Sequence, residues 1–131
     1  MRRYPHANRY VLVCILLAMA LLGCGGETAS DEPPPAAAQA AYDHVREGYQ
    51  EEDAAVFTQD FGDVMFTDRS AEDYLEVVDQ LKTALGDWGD EATYLGVEDG
   101  AHSWRVTFEK GKPMVVIVLD EEDRVSGLWF R

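Results

Sequence analysis

The chain has 131 residues, with 11 basic against 25 acidic side chains and a formal charge of −14. That balance excludes a nucleic-acid partner and argues against anionic lipid headgroups, because both are bound by Lys and Arg that displace counterions. The length suits one small domain, and two cysteines, Cys14 and Cys24, leave little scope for a disulfide framework.

The chain opens with Arg2, Arg3 and Arg9, then an uncharged apolar run from Val11 to Leu22 and a small residue, Gly23. As a helix that run spans about 18 Å, too short for a bilayer core of about 30 Å, so a cleaved leader is preferred to a permanent membrane helix. An ordinary signal peptide calls for no cysteine directly after Gly23. Leu21-Leu22-Gly23-Cys24 resembles the lipobox of a bacterial lipoprotein precursor. The resemblance implies cleavage before Cys24 and a lipid on its sulfur, with residues 1–23 as the signal peptide. Several acyl chains matter, since one alone holds a protein only marginally. Gly25, in place of aspartate, implies the periplasmic side of the outer membrane in enteric-type bacteria. Cys14 follows a bulky valine and leaves with the leader.

Cleavage removes three of the 11 basic residues and none of the 25 acids, leaving 8 basic residues and a charge of −17. The plain meaning is solubility and self-repulsion; the sharper one is an acidic face for cationic peptides or divalent ions. Residues 24–38 hold no large apolar side chain after Cys24, and Pro33-Pro34-Pro35 favours an extended spacer whose last alanines can already enter a helix behind Pro35. Residues 39–131 form the domain. Twelve aromatics, with no cysteine, supply its core.

Ala41, Val45 and Tyr49, with Tyr42 beside them, mark a first helical stripe that Gly48 weakens near its end. A second helix is expected from Glu52 to about Asp60. Phe61 to Phe66 reads as either a short strand or a last turn. Ser70 and Asp73 make a variant capping box for a third helix carrying Tyr74, Val78, Leu81 and Leu85 and ending at Gly86. After Gly89 the period becomes 2. Strands are expected over 92–98, across an Asp99-Gly100 hairpin to about Glu109, over 114–119 as a central strand covered on both faces, and over 125–130. The fold class is therefore α+β, with three N-terminal helices packed on a curved four-stranded antiparallel meander.

Gln50-Glu51-Glu52-Asp53, Leu81 to Trp88, Phe108-Glu109-Lys110-Gly111 and the Asp120 to Asp123 turn before Val125-Ser126-Gly127-Leu128-Trp129-Phe130 resemble the NTF2-like, cystatin-like cone folds, and within them the DUF3887 family. The wider group includes isomerases, dehydratases and non-catalytic binding domains. Their catalytic Asp, His and Tyr positions find no match here.

The remaining chemistry is sparse. His102 lies on the face of Trp104, Val106 and Phe108 by alternation, where it is either a general base at a cone mouth near Asp99 or a half-exposed residue beside a hairpin. His44 has no partner at zinc-ligand spacing. The acidic clusters lack calcium-loop spacing and suit turns and caps. No nucleophile elbow, phosphate loop or dinucleotide fingerprint is present. Tyr42, Tyr49, Trp88, His102, Trp104 and Trp129 are the candidates for a pocket or dimer face, with Trp129 foremost. The expected function is a membrane-anchored, non-catalytic binding or accessory module for a small apolar ligand, peptide or protein, without metal or cofactor. An NTF2-like isomerase or dehydratase and a dimerising structural domain are the alternatives.

Overall fold

The computed structural model describes residues 27–131, so the leader and Cys24 lie outside the described residues. The element order is α1 (Ala36–Glu51), α2 (Ala54–Phe57), a 3₁₀ turn (Asp63–Phe66), α3 (Asp73–Leu85), then β1 (Trp88–Glu98), β2 (Ala101–Phe108), β3 (Met114–Leu119) and β4 (Val125–Phe130). The four strands form one antiparallel meander in chain order. The fold is α+β, with the helices gathered on one face of the sheet.

α1 starts directly behind Pro35 and buries Ala38, Ala41, Tyr42, Val45, Gly48 and Tyr49 on one stripe. It ends where Glu52 enters the left-handed region at φ 53°, and Asp53 then caps α2, its carboxylate accepting from the Val56 N–H at 3.2 Å. Two acids expected to begin a helix thus form a turn and a cap, which shortens α2 to Ala54–Phe57. Phe61 to Phe66 is a bridge followed by a 3₁₀ turn: Phe61 pairs with Val125, and the Val125 N–H donates to the Asp60 carbonyl at 2.7 Å. The capping box forms as expected, with Ser70 N–H to Asp73 Oδ2 at 2.8 Å and Asp73 N–H to Ser70 Oγ at 3.3 Å.

β1 begins at Trp88, four residues before the expected Ala92. Gly89 permits this, because a side chain there would collide with the Thr107 carbonyl of β2. Asp99 and Gly100 both take positive φ, the requirement of a type I′ hairpin. β2 alternates strictly: His102, Trp104, Val106 and Phe108 face the helices, and Ala101, Ser103, Arg105 and Thr107 face away. In β3, Val115 and Ile117 are fully buried inward and Val116 is buried on the far face, so both faces of its centre are covered. No helix among the described residues is long and apolar enough to cross a membrane.

Candidate functional site

The helix-facing side of the sheet brings four of the six candidate aromatic and histidine positions into one cluster. Tyr42 and Trp104 rings lie 4.8 Å apart, Tyr42 and Trp88 5.6 Å, and Tyr49 and Trp88 5.3 Å. Phe108 closes on Trp88 at 4.8 Å. The polar tips are satisfied inside the cluster: Trp88 Nε1–H donates to the Tyr42 hydroxyl at 3.2 Å, and the Tyr49 hydroxyl to the Gly86 carbonyl at 2.7 Å. Burial, with Asp87 nearby, pushes Tyr49 up to about 12, so its hydroxyl stays a donor. The rings therefore fill the space between sheet and helices. A polar cleft of about 310 Å³ opens over Tyr49 and Trp88, between Lys82 and Asp87.

His102 joins this face but is 7% exposed, not half-exposed, because β2 is an interior strand and the inner layer covers its first residues. Its partner is Tyr94 across the hairpin, with the hydroxyl 2.9 Å from Nδ1, and not Asp99 in the turn. Burial lowers the His102 pKa and raises that of Tyr94, which favours a neutral ring accepting from a protonated hydroxyl. The unfolded ring titrates near 6.5, and below that pH the unfolded chain takes up a proton that the native ring refuses. Stability is thus unaffected above about 6.5 and falls as pH drops from there toward the lowered native value. Thermal unfolding from pH 7.5 to 5 should show this loss, and H102Q should show a flatter slope over the same window. An identical slope would remove His102 from the account.

Trp129 departs from the others. It stands on the opposite face of the sheet, 45% exposed, with its indole laid over Gly127, where any side chain would strike the ring. This outer face holds a hollow of about 540 Å³ floored by Ala101, Ser103, Val116 and Val118, with Val97, Glu98 and Asp99 toward the hairpin end and Met114, Trp129 and Arg131 toward the other. A second hollow of about 340 Å³ runs between α3 and β4. Phe57, Met65, Tyr74, Val77, Leu81, Leu128, Trp129 and Phe130 line it, with Arg69 as its one charged residue, so Trp129 borders both hollows. Burial raises the Tyr74 pKa, and its hydroxyl donates to the Met65 carbonyl.

Of this groove sequence reasoning named only Trp129 as a candidate, because Leu128, Val77 and Leu81 carry only the periodicity of core residues. Tyr94 and Arg105 were also missed. The alternation that placed His102 inward sets Arg105 outward, whereas Tyr94 is reached only through the register of the β1–β2 hairpin.

His44 and Asp60 form a pair at 2.6 Å that ties α1 to the turn after α2, whose Asp60 carbonyl in turn accepts from Val125 at the start of β4. Among the described residues no three His, Cys, Asp or Glu side chains gather as a metal site. No family model, curated protein or solved structure matches the chain.

Proposed function

We propose that this chain is a bacterial envelope lipoprotein, held by lipid on Cys24, whose domain is a non-catalytic binding module for a small apolar ligand. The α3–β4 groove is the observation that carries the reading. Its volume of about 340 Å³ falls within the range of ligand pockets, and its lining is apolar apart from Arg69. Three helices ahead of a four-stranded meander support an NTF2-like cone of the DUF3887 kind, here with its interior occupied by its own rings. That occupancy weighs against an isomerase or dehydratase, which needs its acid, His or Tyr beside an open cavity. The Gly25 position supports the periplasmic side of an outer membrane in a Gram-negative cell.

The test uses Nile red as an apolar probe. Saturable binding is expected, and V77E should weaken it more than about tenfold, or about 1.4 kcal/mol, while circular dichroism remains native. Absent saturation, or equal binding by the variant, would reject the groove.

A further inference from the structure

The segment before α1 does not stand away from the domain. Glu27 forms a two-point ion pair with the Arg105 guanidinium, Nε donating to Oε2 at 2.7 Å and the second bond running from the terminal nitrogen to Oε1. Arg105 also donates to the Lys112 carbonyl at 2.8 Å, which fixes the guanidinium on the outer face. Three residues on, the Ser30 N–H donates to the Tyr94 carbonyl of β1 at 2.9 Å. The chain therefore crosses the edge of the sheet, from the outer face at Glu27 to the helix layer at Ala36. Bidentate pairing of this kind is the strong form of an ion pair.

The contact sits at a distinctive end of the sheet. Arg105 is opposite Met114, and Met114 exchanges backbone bonds with Arg131 at 2.8 and 2.9 Å. Trp129 lies next to that row, opposite Val116, with the Arg131 guanidinium 6.0 Å from its ring centre. Lys112 follows in the adjoining turn. This half of the outer face therefore presents an exposed tryptophan and a methionine beside two cations, Lys112 and Arg131, with Arg105 neutralised by Glu27. Glu27 is consumed by Arg105, and Asp87 and Glu109 lie beside the C-terminal end of α3, so Glu91 of β1 is the exposed acid left at this end. The opposite end carries Glu98, Asp99 and the Asp120 to Asp123 turn. The whole-chain charge of −14 averages over these two ends and hides the difference.

We infer that the basic end of the outer sheet face lies on the bilayer that holds Cys24, with Trp129 and Met114 in the interface. This rests on the lipid attachment proposed above. Cys24 is three residues from Glu27, so their backbones are at most about 11 Å apart, and the lipid is held close to the Arg105 pair. A spacer of twelve residues, from Cys24 to Pro35, would reach about 37 Å if it ran free as an extended proline-type strand. The pinned chain thus holds the domain down on the membrane. Tryptophan suits the headgroup layer through its apolar body and polar N–H, and Lys and Arg nearby attract anionic lipid.

The tryptophans give a direct readout, since Trp88 and Trp104 are buried on the helix side and only Trp129 can meet lipid. Full-length protein, processed in cells, is reconstituted into phosphatidylcholine vesicles with brominated acyl chains. Mass spectrometry first records whether Cys24 is acylated. The expected result is strong quenching that disappears in W129F and falls severalfold in the E27Q/S30P double variant, with circular dichroism unchanged. An unmodified Cys24 overturns the anchor and the docking with it. Acylated, vesicle-bound protein whose Trp129 is unquenched overturns the docking alone and leaves the anchor standing. Quenching that survives E27Q/S30P removes the pinned chain as its cause and overturns the inference as stated. A dimer in detergent with Trp129 already shielded from acrylamide assigns the face to a second copy and overturns it as well.

Discussion

Gly48→Ala should destabilise the domain by about 3 kcal/mol or more, the upper end of the usual cost of overpacking. Propensity in the middle of a helix argues the other way, since alanine there gains about 0.5–1 kcal/mol over glycine. Packing decides the sign. A Cβ at position 48 would lie well inside 3.0 Å of the Phe57 backbone nitrogen, Cα and Cβ. The obstacle is main chain, which cannot swing aside as the end of a flexible side chain can. α1 and α2 cross closely at this point, and Phe57 is itself buried against Phe61 and Tyr74. Relief would require moving α2 away from α1 and opening that second aromatic cluster. For a domain of this size the melting temperature should drop by about 12 °C or more, measurable by thermal circular dichroism. A rise, as propensity alone forecasts, would show that the helices do not cross here.

Gly48 also marks what the sequence made legible. Local rules recovered the elements they govern: the Ser70–Asp73 capping box, the Asp99-Gly100 hairpin and the alternation in β2. These depend on neighbours within a few residues, so a single chain carries the whole signal. Gly48 read as a weak point of its helix because its partner, Phe57, belongs to another element. Glu52 and Asp53 show the same limit. Both suit a helix start, but the turn out of α1 takes Glu52 at positive φ and leaves Asp53 as the cap.

The candidate site was legible in part. Alternation separates Trp129 from Leu128 and Phe130, and the prominence given to Trp129 agrees with its exposure. The other five positions, four of them placed by helical or strand periodicity, carry signals that cannot distinguish a lined pocket from a packed core. The α3–β4 groove and the Glu27–Arg105 pair join residues far apart in sequence, and no spacing announces either. Two opposed ends of the sheet also vanish in a net charge.

Trp88→Ala should have the other large effect, about 3–5 kcal/mol, because Trp88 is the point on which the inner aromatic layer converges. Its ring contacts Tyr42 and Tyr49 from α1, Phe108 from β2 and Phe130 from β4, with centroids between 4.8 and 5.9 Å. Removing it opens a cavity bounded by three elements that cannot all collapse inward. It also takes away the partner of the buried Tyr42 hydroxyl, an unmade bond that costs about 1–3 kcal/mol by itself. Tyr42→Phe opens no comparable cavity but strands the buried Trp88 Nε1–H, and should cost about 1–3 kcal/mol, separating the polar part from the cavity. Trp129→Ala is the matched comparison. The residue type is the same and the sheet is the same, but the side chain faces outward and is about half-buried over Gly127, so the loss should be about 1–2 kcal/mol. Urea unfolding of the three variants should place Trp88→Ala well above both Tyr42→Phe and Trp129→Ala. Equal losses for the two tryptophans would mean that the outer face is as well packed as the inner one. Trp129 would then have a structural task and no claim on a membrane. The order in which the two tryptophans fail therefore tests the core and the proposed docking face in one experiment.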